Sequence, residues 1–304
     1  MSRIQTTVIG SYPASLDAAE HARRYFGSDL KDPARDMIRQ AVEKQIEAGI
    51  DIISDGQTRG DFVKIFAEKF RGVVVERRTV VISEIEYTRP VSVDDINYTK
   101  KLAGKRAQIK GIITGPFTLA KSCENRHYKN LRELAFAFAE ALNREARALE
   151  PHVAMLQIDE PFYSVDYPKY ARETIAIVRK GIKKSVGLHA CGDVAGIFQK
   201  LVEFPVDVLH HEFAANPRLL SVVSEIKFKQ KIGFGCVRSD SERVEEVKDI
   251  AANIRKAIDA LGAEKIILNP DCGLRNLPQE AAFKKLRNMV KARDKYLWPE
   301  TADI

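Results

Sequence analysis

The feature that most limits the fold is an alternation repeated eight times. A short, mainly apolar, β-branched run is followed by a helical or loop stretch. The runs are Thr6–Gly10, Ile50–Ser54, Ile109–Thr114, Met155–Asp159, Val186–His189, Val206–His210, Lys231–Cys236 and Lys265–Asn269. The clearest helical patterns are Pro33–Ala48, Leu131–Leu149, Tyr167–Lys183, Ser241–Leu261 and Pro278–Tyr296. A strand apolar on both faces must be covered on both, and helices between such strands make the sheet parallel. Eight units of this kind predict an α/β fold, a (β/α)8 TIM barrel. One segment departs from the rhythm: Arg71–Val93 alternates apolar and polar residues, which predicts a β-hairpin inserted after the second strand region. An open doubly wound sheet is the alternative. It needs a glycine-rich nucleotide turn after the first strand, and Gly10-Ser11-Tyr12-Pro13 is not one. No linker, repeat or low-complexity tract divides the chain, so residues 1–304 read as one catalytic barrel domain.

Composition removes whole classes of function. Hydrophobic residues are 45% and charged residues 30%, a soluble balance, and no run approaches the ~18 apolar residues of a membrane span. The N-terminus MSRIQTTVIGSYP lacks an apolar core of signal-peptide length, so the expectation is a cytoplasmic protein with no membrane partner. The net charge of +7 comes from bases scattered among acids, as at Lys284, Lys285, Arg287, Lys291, Arg293 and Lys295 on the last helix. Without an aromatic-interleaved basic stretch, no nucleic-acid partner is expected. The charge fits a plain basic surface, or attraction to an acidic partner. Four cysteines in such a chain point to metal, catalysis or core packing rather than disulfides.

A barrel places its chemistry at the C-terminal ends of its strands. There the chain offers Ser11, Asp55, Asp159 with Glu160, His189 with Cys191, Glu212, Cys236 with Asp240, and Cys272. His189-Ala190-Cys191 puts imidazole and thiol at i and i+2, on one side of a strand, a donor pair suited to zinc. Cys272 follows the last strand in Asn269-Pro270-Asp271-Cys272-Gly273, and Glu212 emerges from the sixth. Singly, each is also what a packed core thiol, a hydrogen-bonded histidine or a helix-start charge looks like. Together they compose a zinc site, and sulphur-rich ligation keeps a bound thiolate electron-rich, favouring alkyl transfer to sulphur over hydrolysis. Asp159 and Glu160 either hold a cationic amino group or cap a helix; Asp55 either binds substrate or forms a turn. Ser11 either bonds a carboxylate or caps the next helix. One of His210 and His211 packs on the barrel wall, Cys236 reads as a core thiol, Cys123 has no role, and His21, His127 and His152 read as surface.

Ile9-Gly10-Ser11-Tyr12-Pro13, Ile158-Asp159-Glu160-Pro161, His189-Ala190-Cys191, Glu212 and Asn269-Pro270-Asp271-Cys272-Gly273-Leu274 resemble the catalytic domain of the cobalamin-independent methionine synthases. Ile53-Ser54-Asp55-Gly56-Gln57, the run Lys110–Pro116 and Gly233-Phe234-Gly235-Cys236-Val237 resemble the short, single-domain archaeal-type members. The likeness runs from Thr6 to Tyr296. It implies a zinc-bound homocysteine thiolate that attacks a methyl group to give methionine, with His189, Cys191, Glu212 and Cys272 as the Zn2+ ligands. It implies Ser11, Asp159 and, in a slightly different register, Asp55 as homocysteine contacts. Glu212, the hard oxygen in a soft set, is the ligand expected to yield.

Two positions depart from the two-domain enzymes. Ser122 stands where they carry a folate-stacking Trp, and Asp240, expected as the catalytic residue, stands where a gapless count puts their catalytic His. No N-terminal folate-binding barrel is present in this sequence. The resemblance to the short members therefore implies a methylcobalamin or methylcorrinoid donor, presented by a corrinoid protein, in place of methyltetrahydrofolate. The competing readings are folate-dependent methionine synthesis, methyl transfer to another thiol such as coenzyme M, and a non-catalytic zinc protein that docks a corrinoid partner.

Overall fold

Seven of the apolar runs pair in parallel, as strands buried on both faces and joined through helices do. The computed structural model describes residues 3–14 and 33–297. Helix α1 (Pro33–Glu47) leads to β1 (Ile52–Ile53), then α2 (Phe62–Ala67), β2 (Phe70–Val75), β3 (Thr79–Tyr87) and α3 (Val93–Ala103). Next come β4 (Gln108–Thr114), α4 (Pro116–Ser122), β5 (Glu124–Asn125), α5 (Leu131–Leu149), β6 (Met155–Asp159) and α6 (Ala171–Arg179). The chain continues through β7 (Ser185–His189), α7 (Phe198–Leu201), β8 (Val208–His211) and α8 (Leu219–Glu225). It ends with β9 (Lys231–Val237), α9 (Val247–Leu261), β10 (Ile266–Pro270) and α10 (Gln279–Leu297).

The main sheet runs β1-β4-β6-β7-β8-β9-β10, every pair parallel. It is curled: the segment at residues 5–7 reaches both of its outer strands. Thr7 N donates to Leu268 O (2.7 Å), Leu268 N to Gln5 O (2.9 Å), and Ile52 N to Thr6 O (3.0 Å). Inside the curl, Met155, Val208 and Ile267 from alternate strands β6, β8 and β10 form their own buried apolar cluster. Filling by alternate strands is the packing rule of parallel barrels.

The expected first strand, Thr6–Gly10, is a correction. Only Thr6 and Thr7 make ladder contacts. Beyond them side chains take the backbone carbonyls: Lys110 Nζ donates to Val8 O, Gln157 Nε2 to Ile9 O and Ser54 Oγ to Gly10 O. The helix expected over Tyr167–Lys183 shrinks to Ala171–Arg179, and that over Ser241–Leu261 begins at Val247. Within the alternating segment β2 and β3 pair antiparallel, with Val75 opposite Thr79. Its far end is tied to α5 by buried Glu145, which accepts from Val91 N (2.8 Å), Ser92 N (2.9 Å) and the Tyr87 hydroxyl (3.0 Å).

The bases of α10 are not all surface. Arg293 is fully buried and donates to Ile4 O and Thr6 Oγ1 while pairing with Asp51; buried Lys285 pairs with Glu245 at 2.8 Å. They pin the N-terminal segment and the β9–α9 loop. His21 lies outside the described residues. No helix of the described residues is long and apolar enough to cross a membrane.

Candidate metal and substrate site

Strand register assembles the site. Thr114 pairs with Asp159, Asp159 with His189, and His189 with His210, so neighbouring strand ends deliver their side chains side by side. His189 Nε2 lies 3.1 Å from Cys191 Sγ and 3.4 Å from Cys272 Sγ, and the two sulphurs are 3.3 Å apart. The ends of two strands, β7 and β10, with their loops thus bring one imidazole and two thiols to a point. His189 Nδ1 donates to His210 O (3.1 Å), because a carbonyl can only accept, and this turns Nε2 toward the sulphurs.

These donors fit a zinc ion. Ligands on a tetrahedral zinc at about 2.0–2.3 Å stand roughly 3.3–3.8 Å from one another, only a few tenths of an ångström beyond the separations here. Their charge state already leans that way. Cys272 is held well below the ordinary thiol value by a hydrogen bond from Cys191 and by the neighbouring His189. Burial alone would lower His189, but the Cys272 thiolate, with Asp159 and Glu212, raises it to about 9. A divalent cation would replace the proton shared among these groups.

Glu212 stands beside this trio rather than within it. Its Oε1 accepts from Gly192 N at 2.9 Å, in the loop directly after Cys191. Asp271 clasps the same region, accepting from Ala214 N (2.9 Å) and Ala215 N (2.7 Å), so the loop bearing Glu212 is tied to the one bearing Cys272. Gly273 is needed for close approach, since a Cβ there would collide with Ser11 Oγ.

A cavity of about 320 Å³ opens over the trio. Cys191 and Cys272 line it, as do Ser11 and Asp159, so four of the expected site residues meet there. Burial raises Asp159 to about 6, against the lowering effects of His189 and of a 2.7 Å hydrogen bond from Gln157 Nε2.

Other candidates are placed elsewhere. Glu160 is not offered to a ligand: buried, it caps α4 by accepting from Phe117 N, Thr118 N and Thr118 Oγ1 at 2.9, 2.9 and 2.6 Å. Asp55 accepts from Gln57 N (2.9 Å) in a turn and faces an adjoining small cavity with Arg59 and Asp95. Asp240 is exposed and held bidentately by Arg238 at 2.8 and 2.7 Å; it does not line the cavity. His210 and His211 are both buried: His210 bonds Asn269, while His211 packs its ring on Phe198. Cys236 is a core thiol beneath Asn269 O, and Cys123 is partly buried away from the site.

Three lining residues escape sequence reasoning. Gln57 is the one non-glycine among the described residues with positive φ (+47°), a conformation that concentrates at functional sites. Arg275 donates to Gln57 O and Gly60 O, clamping loop 55–61 over the cavity, and Phe62 forms an apolar wall. The only sequence signals were the turn residues around Gln57 and the basic residue just after Cys272.

The chain matches the family model described as "Cobalamin-independent synthase, Catalytic domain" over residues 4–295. It is 39% identical to a methionine synthase of Methanocaldococcus jannaschii, covering 94% of this chain and 97% of that protein. It is 41% identical to one of Methanothermobacter marburgensis, covering 96% and 99%. Its fold is similar to a B12-independent methionine synthase from Shewanella sp. W3-18-1 solved with selenomethionine (TM-score 0.84, 24% identity, 100% of both chains). It is also similar to a methyltransferase from Methanosarcina mazei (TM-score 0.67, 14% identity, 98% and 95%). Matched almost end to end by the family model and by archaeal relatives, the chain belongs to the cobalamin-independent methionine synthase family of methyltransferases.

Proposed function

We propose that this chain is a zinc-dependent homocysteine S-methyltransferase that forms methionine. One observation carries the reading: a single cavity is lined by Cys191 and Cys272 together with Ser11 and Asp159. His189, Cys191 and Cys272 are the metal donors, and Glu212 is the fourth. Glu212 is also the exchangeable one, because its oxygen is the hardest donor in the set and Gly192 N offers it an alternative partner. Zinc bound there would lower the pKa of an acceptor thiol and keep its sulphur nucleophilic. The chain's own residues do the rest. Ionised Asp159 accepts the substrate ammonium, Ser11 Oγ donates to its carboxylate, and Phe62 with Pro161 keeps water from the reacting sulphur. We read the curled sheet as a (β/α)8 barrel, residues 5–7 serving as the eighth stave and β2–β3 as the insertion; the hydrogen bonds from this segment to both outer strands support that closure.

We infer a methylcorrinoid donor, a substrate carried by a partner protein. Ser122, where a stacking tryptophan is needed for a pterin, ends α4 exposed and offers no ring. The test is methionine formation by the zinc-loaded protein from homocysteine with methylcobalamin or with methyltetrahydrofolate. Methionine from methylcobalamin alone is expected. Methionine from the folate alone overturns the donor, and none from either overturns the methyltransferase reading.

A further inference from the structure

Beneath the cavity, inside the curled sheet, lies a buried polar chain that the chemistry above leaves unused. Lys110 of β4 is fully buried, and its Nζ donates to Val8 O (2.6 Å) and Gln157 Oε1 (2.7 Å). Ammonium or amine, the lysine has a hydrogen for each of these two acceptors. Gln157 of β6 is fully buried too, and its amide orientation follows: Oε1 must face the lysine, so Nε2 faces the other way. There it donates to Ile9 O (2.7 Å) and Asp159 Oδ1 (2.7 Å). Val8 and Ile9 lead directly through Gly10 to Ser11. Two side chains therefore fasten the segment that carries Ser11 to the strand that carries Asp159, where no backbone ladder does so. Burying a lysine and an amide beneath an active cavity is costly unless each is satisfied; here Lys110 Nζ meets two acceptors and Gln157 Nε2 two more.

We propose that Lys110 and Gln157 are positioning residues that set the spacing and aim of Ser11 and Asp159, making the cavity selective for a thiol bearing both an ammonium and a carboxylate group. The proposal rests on the homocysteine reading above. Gln157→Glu tests it: the side chain keeps its size, but an acceptor replaces the donor facing Asp159. Gln157→Met, which adds no charge, is the second variant should the first not fold. Each is compared with wild type for homocysteine and for 4-mercaptobutanoate, the same thiol without its amino group, with zinc content measured alongside.

With full zinc retained, the homocysteine KM is expected to rise at least about tenfold, the loss of one hydrogen bond to a charged group. The kcat is expected to stay within about threefold, and the 4-mercaptobutanoate KM, which reads the Ser11 end alone, to rise less than the homocysteine KM. A parallel loss for both thiols, or an unchanged ratio of their kcat/KM values, overturns the positioning role. Wild type that never methylates homocysteine overturns the functional reading and this inference with it.

Discussion

Replacing Lys110 by methionine should change stability in a way that depends on pH with a known sign. Burial pulls Lys110 from the ordinary 10.5 down to about 7, while the charge of Asp159 acts the other way. Below about pH 7 both folded and unfolded chains hold the proton, and the folded state bears the whole cost of a buried ammonium. The separation of about 3.5 between the two values corresponds to roughly 5 kcal/mol. Between pH 7 and 10.5 the unfolded chain holds the extra proton, so wild-type stability rises with pH. By pH 9 roughly 2 kcal/mol of the cost remains. Lys110→Met has no such term, and the titrations other than those of Asp159 and His210, which Lys110 itself lowers, are common to both proteins. The wild-type advantage over the variant should therefore grow by roughly 2–3 kcal/mol between pH 6 and pH 9. Urea unfolding of the zinc-loaded proteins, followed by circular dichroism at the two pH values, measures that difference directly. A difference that stays flat across this range would refute the assignment of Lys110 as a buried, proton-poor lysine.

Cys272→Ser and His189→Ala should each lose zinc and methionine formation, whereas Glu212→Gln should keep most of its metal because the tight trio survives; metal analysis after dialysis separates them. Asp159→Asn should raise the homocysteine KM about 10- to 100-fold, the worth of a hydrogen bond to a charged group, with zinc unchanged. In wild type the same KM should rise as pH falls through about 6, because protonated Asp159 no longer balances the ammonium; a flat profile from pH 5 to 7 contradicts that role. Gly273→Ala should push Ser11 aside and lower kcat/KM while the protein stays folded and zinc-loaded, as near-ultraviolet dichroism and metal analysis would report.

Residues whose placement follows from strand ends were legible in the sequence. His189, Cys191 and Cys272 are metal-capable types at the C-terminal limits of apolar runs, and periodicity alone sends such positions toward one place. Lys110 and Gln157 were invisible for the opposite reason. Each sits inside a run that reads as strand, and its meaning comes from carbonyls about 100 or more residues away along the chain. The same side-chain bonds explain why Val8–Gly10, apolar enough for a strand, forms no ladder. Glu160 read either as holder of a cationic amino group or as a helix cap; alternation along the chain sends it outward from Asp159, where the N-terminus of α4 collects it as a cap. Arg275 and Gln57 become site residues only when the last loop crosses the second, a contact no local pattern encodes.

The parallel register also supplies a length standard. Asp159 and His189 are directly paired on adjacent strands, which lie about 4.8 Å apart, and both face the cavity side of the sheet. In an extended homocysteine, four bonds separate nitrogen from sulphur, a span of roughly 5 Å at ordinary bond lengths. An ammonium on Asp159 therefore leaves the sulphur about one strand further on, beside His189 and its two thiol neighbours. Cysteine, one methylene shorter, would span less than this distance and would fit one end at the expense of the other. One missing methylene is worth about 1–3 kcal/mol in such a site, so kcat/KM for cysteine should fall about 10- to 200-fold below that for homocysteine. Because Asp159→Asn releases one end of the measure, the same ratio should shrink toward one in that variant. If cysteine and homocysteine are methylated alike by wild type, strand spacing does not set the acceptor length, and the ammonium must be held by a group other than Asp159.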